Sequence, residues 1–496
     1  MSRQSHCLQS SLWAPTQLIL LSGLLFSSST AFSWNQRQSN LGPSRQTGTK
    51  YTSTRSYSRA VGHSNSPWAS TSSSTNTINS ALSSTAAAYS DYVSIDRSAP
   101  REIDYFQGWA GSCGVQPENG FYLQGQLVDD NEDYYAATSS GAASGSRMLY
   151  VPGEMILSAY QISQEYNGYI DASLQTLVEM DMQHLQKHFH LFLKILVEFE
   201  KGSESPYMPW LNAMPRKWNT AASMDNFCLS VLPPYIKAVC HTERDQLGAF
   251  RRALGAFDYV SPETKNNSEL LKFAYNVVFT RAWRSDEGDY RIVPVADMIN
   301  HEYPDNCVIC YNENGGCEVY AKRDISAGEA LTMSYGTPTN PSKLLATYGF
   351  LHQPPATFCK IVVSNPSEEL KSVGYDPNRM VFFSDGSIAQ DVWDVLLYHR
   401  LERKPELAAV KDAFFQAHMS GDEQTKNSIH NQFQRETVGA LLRHVNHILA
   451  EVAELTYKMN SFDSSQHPRL PLLLKHHAMV TDTFTKVRDF LMDLQG

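Results

Sequence analysis

Acidic residues are absent from the first ninety positions, and the first is Asp91. The same stretch carries six basic residues: Arg3, Arg37, Arg45, Lys50, Arg55 and Arg59. Without them the chain keeps 35 basic residues against 51 acidic ones, a formal charge of −16. An acidic body does not bind nucleic acid by neutralising phosphates, so no nucleic-acid partner is expected. It suits a cationic target, such as a segment bearing an exposed lysine. Cysteine is scarce: eight in 496 residues, irregularly spaced, with Cys7 in the leading segment. That excludes a disulfide framework. Long apolar runs are missing too. The run Leu18–Phe26 falls well short of the ~20 residues that span a bilayer. No stable membrane span is expected in the mature chain, and no internal repeat is visible.

What the leading segment does contain is informative. A short apolar stretch after Arg3 ends in small residues, Ser27-Ser-Ser-Thr-Ala-Phe32. This is a signal-peptide pattern over 1–32. From 33 to 95 the chain is Ser/Thr-rich and basic, the composition of a disordered transit segment. The pair resembles the bipartite plastid presequence of algae with secondary plastids, with Ala31-Phe32 at the junction. Plastid is therefore the expected location, with the secretory pathway as the alternative.

Ordered chain is expected from about Ile103. Residues 103–127 read as short strands and turns, followed by an acidic turn at 129–133 and a strand at Met148–Pro152. Apolar residues from Leu177 to Phe199 follow helical spacing, predicting one helix over 175–201 that stops at Gly202. Residues 227–257 read as further helix broken at Pro233-Pro234. A helix carries Phe273–Trp283. Short strands follow at 292–296, 307–311, 318–321 and 330–335. Helices at 392–401, 408–418, 427–458 and 472–494 suggest a bundle.

The chemistry lies in Val293-Pro-Val-Ala-Asp297-Met-Ile-Asn300-His301, followed by Gly328–Gly336 and Leu344–Phe350. Asp297, Asn300 and His301 close an apolar strand, where polar groups line a pocket rather than join the core. The Asn amide and His ring offer donors and acceptors to a polar ligand. Tyr335 ends a strand before Gly336.

This segment resembles the C-terminal half of a SET domain, in the branch typified by the plant RuBisCO large-subunit lysine methyltransferase. Asn300-His301 matches that family's Asn-His pair, and Thr280-Arg281-Ala282-Trp283 matches its arginine setting. Tyr335 and Tyr348 match its two tyrosines, thirteen positions apart. Lys201–Pro215 resembles its helical insert, and Asp385-Gly386 with the helix ending at Arg400-Leu401 weakly resembles its helical domain. The resemblance implies an α+β fold. SET segments at 100–160 and 269–352 would flank a helical insert at 161–268. An all-helical substrate-binding domain would occupy 353–496.

The resemblance also implies S-adenosylmethionine as cofactor and a protein lysine as methyl acceptor, possibly on a plastid stromal enzyme. Arg281, Asn300, His301 and Tyr348 would bind the cofactor, with Arg281 facing its carboxylate. Tyr335 would be catalytic. Asp297, with Arg281, would help to place the target amine. Two departures stand out. The family's Gly-x-Gly falls near Asp133-Tyr134-Tyr135, or alternatively Asn119-Gly120-Phe121. Its second pocket arginine falls on Ser285, with Arg284 beside it. Histidine methylation, and a catalytically weak SET protein that only binds a partner, are the rival expectations. No metal is expected. Cys307 and Cys310 lie three apart in a strand and so face opposite sides, and His184, His188 and His190 lack an acidic ligand nearby.

Overall fold

The computed structural model describes residues 92–495 except 129–130, 336–340, 353–355, 362 and 378. The signal expectation, the transit expectation up to residue 91 and Gly336 lie outside the described residues; at 92–95 the expected disorder is not observed. Order is already present at Val93, which is buried in the core. The Ser94 amide donates to Asn212 Oδ1 at 3.0 Å.

The segment expected to hold only strands and turns opens instead with helix α1 (Ile103–Ser112), whose Ile103, Phe106 and Ala110 are buried. Those three sit at i, i+3 and i+7, a single helical stripe that the surrounding glycines and aromatics obscured. Strands β1 (Gln116–Pro117), β2 (Phe121–Val128), β3 (Asn131–Thr138), β4 (Arg147–Val151) and β5 (Leu157–Ser158) follow. The antiparallel β2–β3 pair runs from Phe121↔Thr138 to Val128↔Asn131, so Asp133 belongs to a strand rather than a turn.

The insert comprises α2 (Ala159–Glu165), α3 (Asp171–Glu179), α4 (Gln186–Lys201), α5 (Met208–Asn212), α6 (Asn226–Ser230), α7 (Pro234–Leu254) and α8 (Pro262–Asn266). The single helix predicted over 175–201 is two. Asp181 adopts φ 59°, and the Met182 amide returns to Leu177 O at 2.8 Å. This αL-type stop needs no glycine, which is why apolar spacing alone missed it. Helix α4 does end at Gly202, at φ 53°, and α7 begins at Pro234, beyond the expected break.

Helix α9 (Ser268–Arg281) is capped by Asn267, whose side chain accepts the Leu270 amide. Then come β6 (Trp283–Arg284), β7 (Tyr290–Ile292), β8 (Asn300–His301), β9 (Cys307–Tyr311), β10 (Cys317–Ala321) and β11 (Thr332–Met333). The strand expected at 292–296 ends at Ile292. Val295 turns at φ 74° into a 3₁₀ turn, Ala296–Met298. Small sheets of order β1-β4-β10-β9 and β5-β7-β6, the β2-β3 pair and the parallel pair β11-β8 wrap one core. Strand β3 also packs on the approach to β11: Leu331 N donates to Ala136 O at 2.8 Å. Ala136 and Ala137 are fully buried there.

After helix α10 (Pro341–Lys343) and a π-helical turn (Leu344–Tyr348), the remaining elements are β12 (Ala356–Phe358), α11 (Glu368–Ser372), β13 (Val381–Phe383), α12 (Gln390–Glu402), α13 (Ala408–Ser420), α14 (Glu423–Met459) and α15 (Leu470–Asp493). The four long helices match the expected bundle, to which the antiparallel β12–β13 pair is an addition. Gly386, at φ 94°, lets this region approach α15: a Cβ there would sit 2.8 Å from Lys486 Cβ. No described helix is long and apolar enough to cross a membrane.

Candidate functional site

The turn after β7 buries its apolar residues and carries one carboxylate inward with them. Asp297 is only 3% exposed. Burying a charge costs several kcal/mol unless it is compensated, and here the compensation is partial. Trp210 Nε1 donates to Asp297 Oδ2 at 3.0 Å, while Oδ1 has no hydrogen-bond partner. Burial raises the Asp297 carboxyl above the usual range, opposed by the nearby Arg281 charge. Arg281, the last residue of α9, donates through Nη1 to the Asp297 carbonyl. The same nitrogen lies 3.6 Å from Met298 Sδ.

Parallel pairing of β8 with β11 sets Asn300 opposite Thr332 and His301 opposite Met333. The Tyr335 amide then donates to His301 Nδ1 at 3.1 Å. Nδ1 also lies 3.3 Å from Met333 O, but an amide can only donate. The ring proton therefore belongs on Nε2, which is buried without a partner. Burial pulls the His301 ring below its ordinary value, so the imidazole is neutral. Among the described residues the Asn300 amide has no hydrogen-bond partner.

The Tyr335 hydroxyl donates to Ile299 O at 2.8 Å. Burial pushes this phenol up to about 12, and the neighbouring Asp297 and Asp133 charges act in the same direction. It stays protonated at neutral pH, with oxygen lone pairs still available as acceptors. The Tyr348 ring lies 5.0 Å from that of Tyr335. It is held there by Gly349, where φ is 77° and a Cβ would meet Asn219 C at 2.7 Å. Thr347 beside it donates to Glu243 at 3.0 Å. Glu243 also accepts from Tyr275 of α9 at 2.8 Å, tying the π-helical turn to the helix that carries Arg281.

One wall was not legible in the sequence. Arg101 lies 3.8 Å from Met298 Sδ through Nη2, opposite Arg281. Its guanidinium stacks 4.6 Å over the Tyr134 ring and pairs with Asp133 at 4.0 Å. Burial, and then the Arg281 charge, lower it to about 10. Two arginines and two aspartates thus meet at Met298, contributed by α9, the segment before α1, strand β3 and the turn after β7.

Residues 145–336 match the family model described as SET domain. The chain carries a SET domain. It is 25% identical over 233 residues to the SET domain-containing protein 8 of Schizosaccharomyces pombe, covering 42% of this chain. The chain spans about half the length of that curated relative, 49%. Among solved structures, the SET domain of LSMT bound to lysine and AdoHcy superposes with a TM-score of 0.54 at 14% identity, over 79% of this chain and 91% of that one. Rubisco LSMT bound to AdoMet gives 0.53 at 13% identity, over 80% and 93%. These likenesses show a shared fold.

Within the SET domain, then, Tyr335, Tyr348, His301, Arg281 and Asp297 converge, and Asn300 shares the strand of His301. The two departures have different outcomes. Asp133 and Tyr134 do line the site, whereas Asn119 and Gly120 form the tight turn into β2, at φ 49° and 68°. Arg284 is exposed, so it does not take an inward position in place of Ser285, which is buried with its hydroxyl unpartnered. Arg101, Trp210 and Glu243 were missed. Arg101 stands 196 positions from Asp297, and no local pattern links them. Among the described residues no group of three or more His, Cys, Asp or Glu converges as metal ligands. His188 and His190 are buried in α4, where burial lowers them to about 3 and about 4.

Proposed function

We propose that this chain is a protein methyltransferase that moves a methyl group from S-adenosylmethionine to a protein lysine amine. One observation carries the reading. Inside the SET domain, a protonated Tyr335 held to a backbone carbonyl stands beside Tyr348 and His301, at the edge of the Arg281–Asp297 pair. Solved SET relatives are described with AdoMet, or with lysine and AdoHcy, which supports the cofactor and acceptor assigned here.

The donor set fits the cofactor. Its amino-acid end is a zwitterion. Arg281 offers a guanidinium to a carboxylate, and Asp297 Oδ1 is an unused acceptor for an ammonium. The unpartnered His301 Nε2–H and the Asn300 amide suit a nucleoside. The bound cofactor supplies a methyl group on a sulfonium, already a good leaving group. The chain therefore needs to align an amine and keep it neutral. A lysine with an ordinary pKa of about 10.4 is almost wholly protonated at pH 7. The aromatic pair Tyr335–Tyr348 desolvates it and lowers that value. The Tyr335 oxygen accepts a hydrogen bond from the amine and aims its lone pair. Too weak a base to remove the proton itself, it acts by orientation.

A second reading, a SET protein that binds a partner without transferring methyl, is favoured by Asp133, Tyr134 and Arg101 on the wall where the family places glycines. Differential scanning fluorimetry separates the two. Methyl transfer needs a thermal shift with S-adenosylmethionine, and the absence of any shift leaves only the binding module. A plastid setting is part of the proposal, supported by the two-part leading segment. A fluorescent fusion of residues 1–95 that stays in the secretory pathway would overturn it.

A further inference from the structure

A cleft of about 590 Å³ opens on the insert, lined by Arg97, Arg244, Arg251, Lys272 and Arg469, with Asp225 as its one acid. The chain as a whole has 51 acidic residues against 41 basic ones, so a concave wall with five cations and one carboxylate runs against its composition. The cations come from four places: the segment before α1, one face of α7, the first turns of α9, and the residue preceding α15.

Existing ion pairs leave most of this charge uncompensated. Glu269 holds Lys272 at 2.8 Å and Arg97 at 3.8 Å. Asp225 is engaged in capping, accepting the Cys228 amide at 2.8 Å. Among the described residues Arg244 and Arg251 have no acid within ion-pair distance. Arg469 donates from Nη2 to Trp218 O at 2.8 Å, yet its Nε is buried without a partner. An anion seated among these cations would be held by Coulomb attraction.

The floor is shaped to admit a ligand. Arg244 and Arg251 are seven residues apart on α7, on one helical face, with Gly248 between them. Glycine inside a helix costs about 1 kcal/mol relative to alanine. Here a Cβ at Gly248 would meet nothing within 4 Å, so tight packing does not require the glycine. Met224, Leu247 and Leu271 supply an apolar lining beside the charges. The volume lies within the range of small-molecule sites, ~300–1,000 Å³. The cleft is separate from the methyl-transfer site. Lys272 and Arg281 are nine residues apart on α9, about 13 Å along its axis.

We propose that this cleft binds a small organic phosphate, its phosphates between Arg244, Arg251 and Arg469 and its organic body against Leu247 and the backbone at Gly248. Guanidinium groups pair well with phosphate through paired hydrogen bonds. The site joins the start of the Arg281 helix to the start of α15, so occupancy ties the SET domain to the C-terminal bundle.

The test is isothermal titration of the full chain, with S-adenosylmethionine present in saturating amount to fill the methyl-transfer site, with pyrophosphate and with ADP at constant ionic strength, and with adenosine as the uncharged control. One saturable site for ADP is expected. Arg244→Ala/Arg251→Ala should weaken it at least tenfold. Gly248→Met, which fills the cleft and keeps all five cations, should do the same without lowering the melting temperature. Three results would overturn the proposal: no saturable heat from either phosphate probe, ADP binding unchanged in both variants, or adenosine binding as tightly as ADP.

Discussion

Side-chain chemistry at single positions decides whether this site transfers methyl groups. Tyr335 makes one hydroxyl hydrogen bond, worth about 1 kcal/mol. Tyr335→Phe should therefore fold and bind cofactor nearly as the parent does, while methyl transfer falls at least a hundredfold. Equal losses of binding and rate would mean that the tyrosine is packing rather than aiming. Arg101 gives a second expectation. It faces Arg281 across the Met298 sulfur and balances the Asp133 carboxylate. Arg101→Met leaves Asp133 beside the place assigned to the cofactor's carboxylate. Affinity for S-adenosylmethionine should fall about tenfold, close to 1.4 kcal/mol, as read by calorimetry. Unchanged affinity would place Arg101 outside the binding wall.

Element by element, the sequence was most legible where burial is periodic. Helices α9, α12, α13, α14 and α15 follow from apolar spacing, caps and breakers, and so does the turn of α4 at Gly202. It was least legible where a backbone device replaces a composition signal. Asp181 stops α3 with a positive φ and no glycine. Val295 turns the chain after β7 inside a run that reads as continuous strand. Asp297, Asn300 and His301 stand out in the sequence as polar residues closing an apolar run, and Asp297 is buried, yet the turn that presents it was not visible. Arg101, Trp210 and Glu243 were invisible for another reason: their partners lie far away in the chain, and one sequence carries no record of such pairing.

Two expectations belong to elements. Gly349 closes the π-helical turn at φ 77° with no room for a Cβ. Gly349→Ala should destabilise by roughly 1–3 kcal/mol and lower methyl transfer by displacing Tyr348. Chemical denaturation and rate measurements on the same variant check both. In the C-terminal bundle, His477 of α15 is buried, its ring bonded to Thr456 of α14 at 3.0 Å. Burial lowers it from 6.5 to about 4. The unfolded chain takes up this proton first. The contribution to stability is therefore complete above pH 6.5 and is lost as pH falls toward 4. Melting temperature should drop across that window, and His477→Gln should flatten the drop. An equal drop in the variant would assign the effect to other groups, such as His476, which burial also lowers.

For the whole molecule, the SET core and the helical insert assemble the site from parts far apart in sequence. Strand β3, the segment before α1, the insert's Trp210, helix α9 and the π-helical turn all contribute to it. None of these parts alone holds the Arg281–Asp297–Tyr335 arrangement, so methyl transfer should require the assembled body. Net acidity of that body fits a cationic acceptor, and raising ionic strength should weaken protein-substrate binding more than cofactor binding.

The most direct measurement is transfer of labelled methyl from tritiated S-adenosylmethionine into a plastid extract by protein beginning near residue 91, with Tyr335→Phe and Asn300→Ala alongside. The account requires a labelled protein band that fades in both variants, with the label on lysine by mass spectrometry. Absence of label together with absence of any cofactor-induced thermal shift would contradict it.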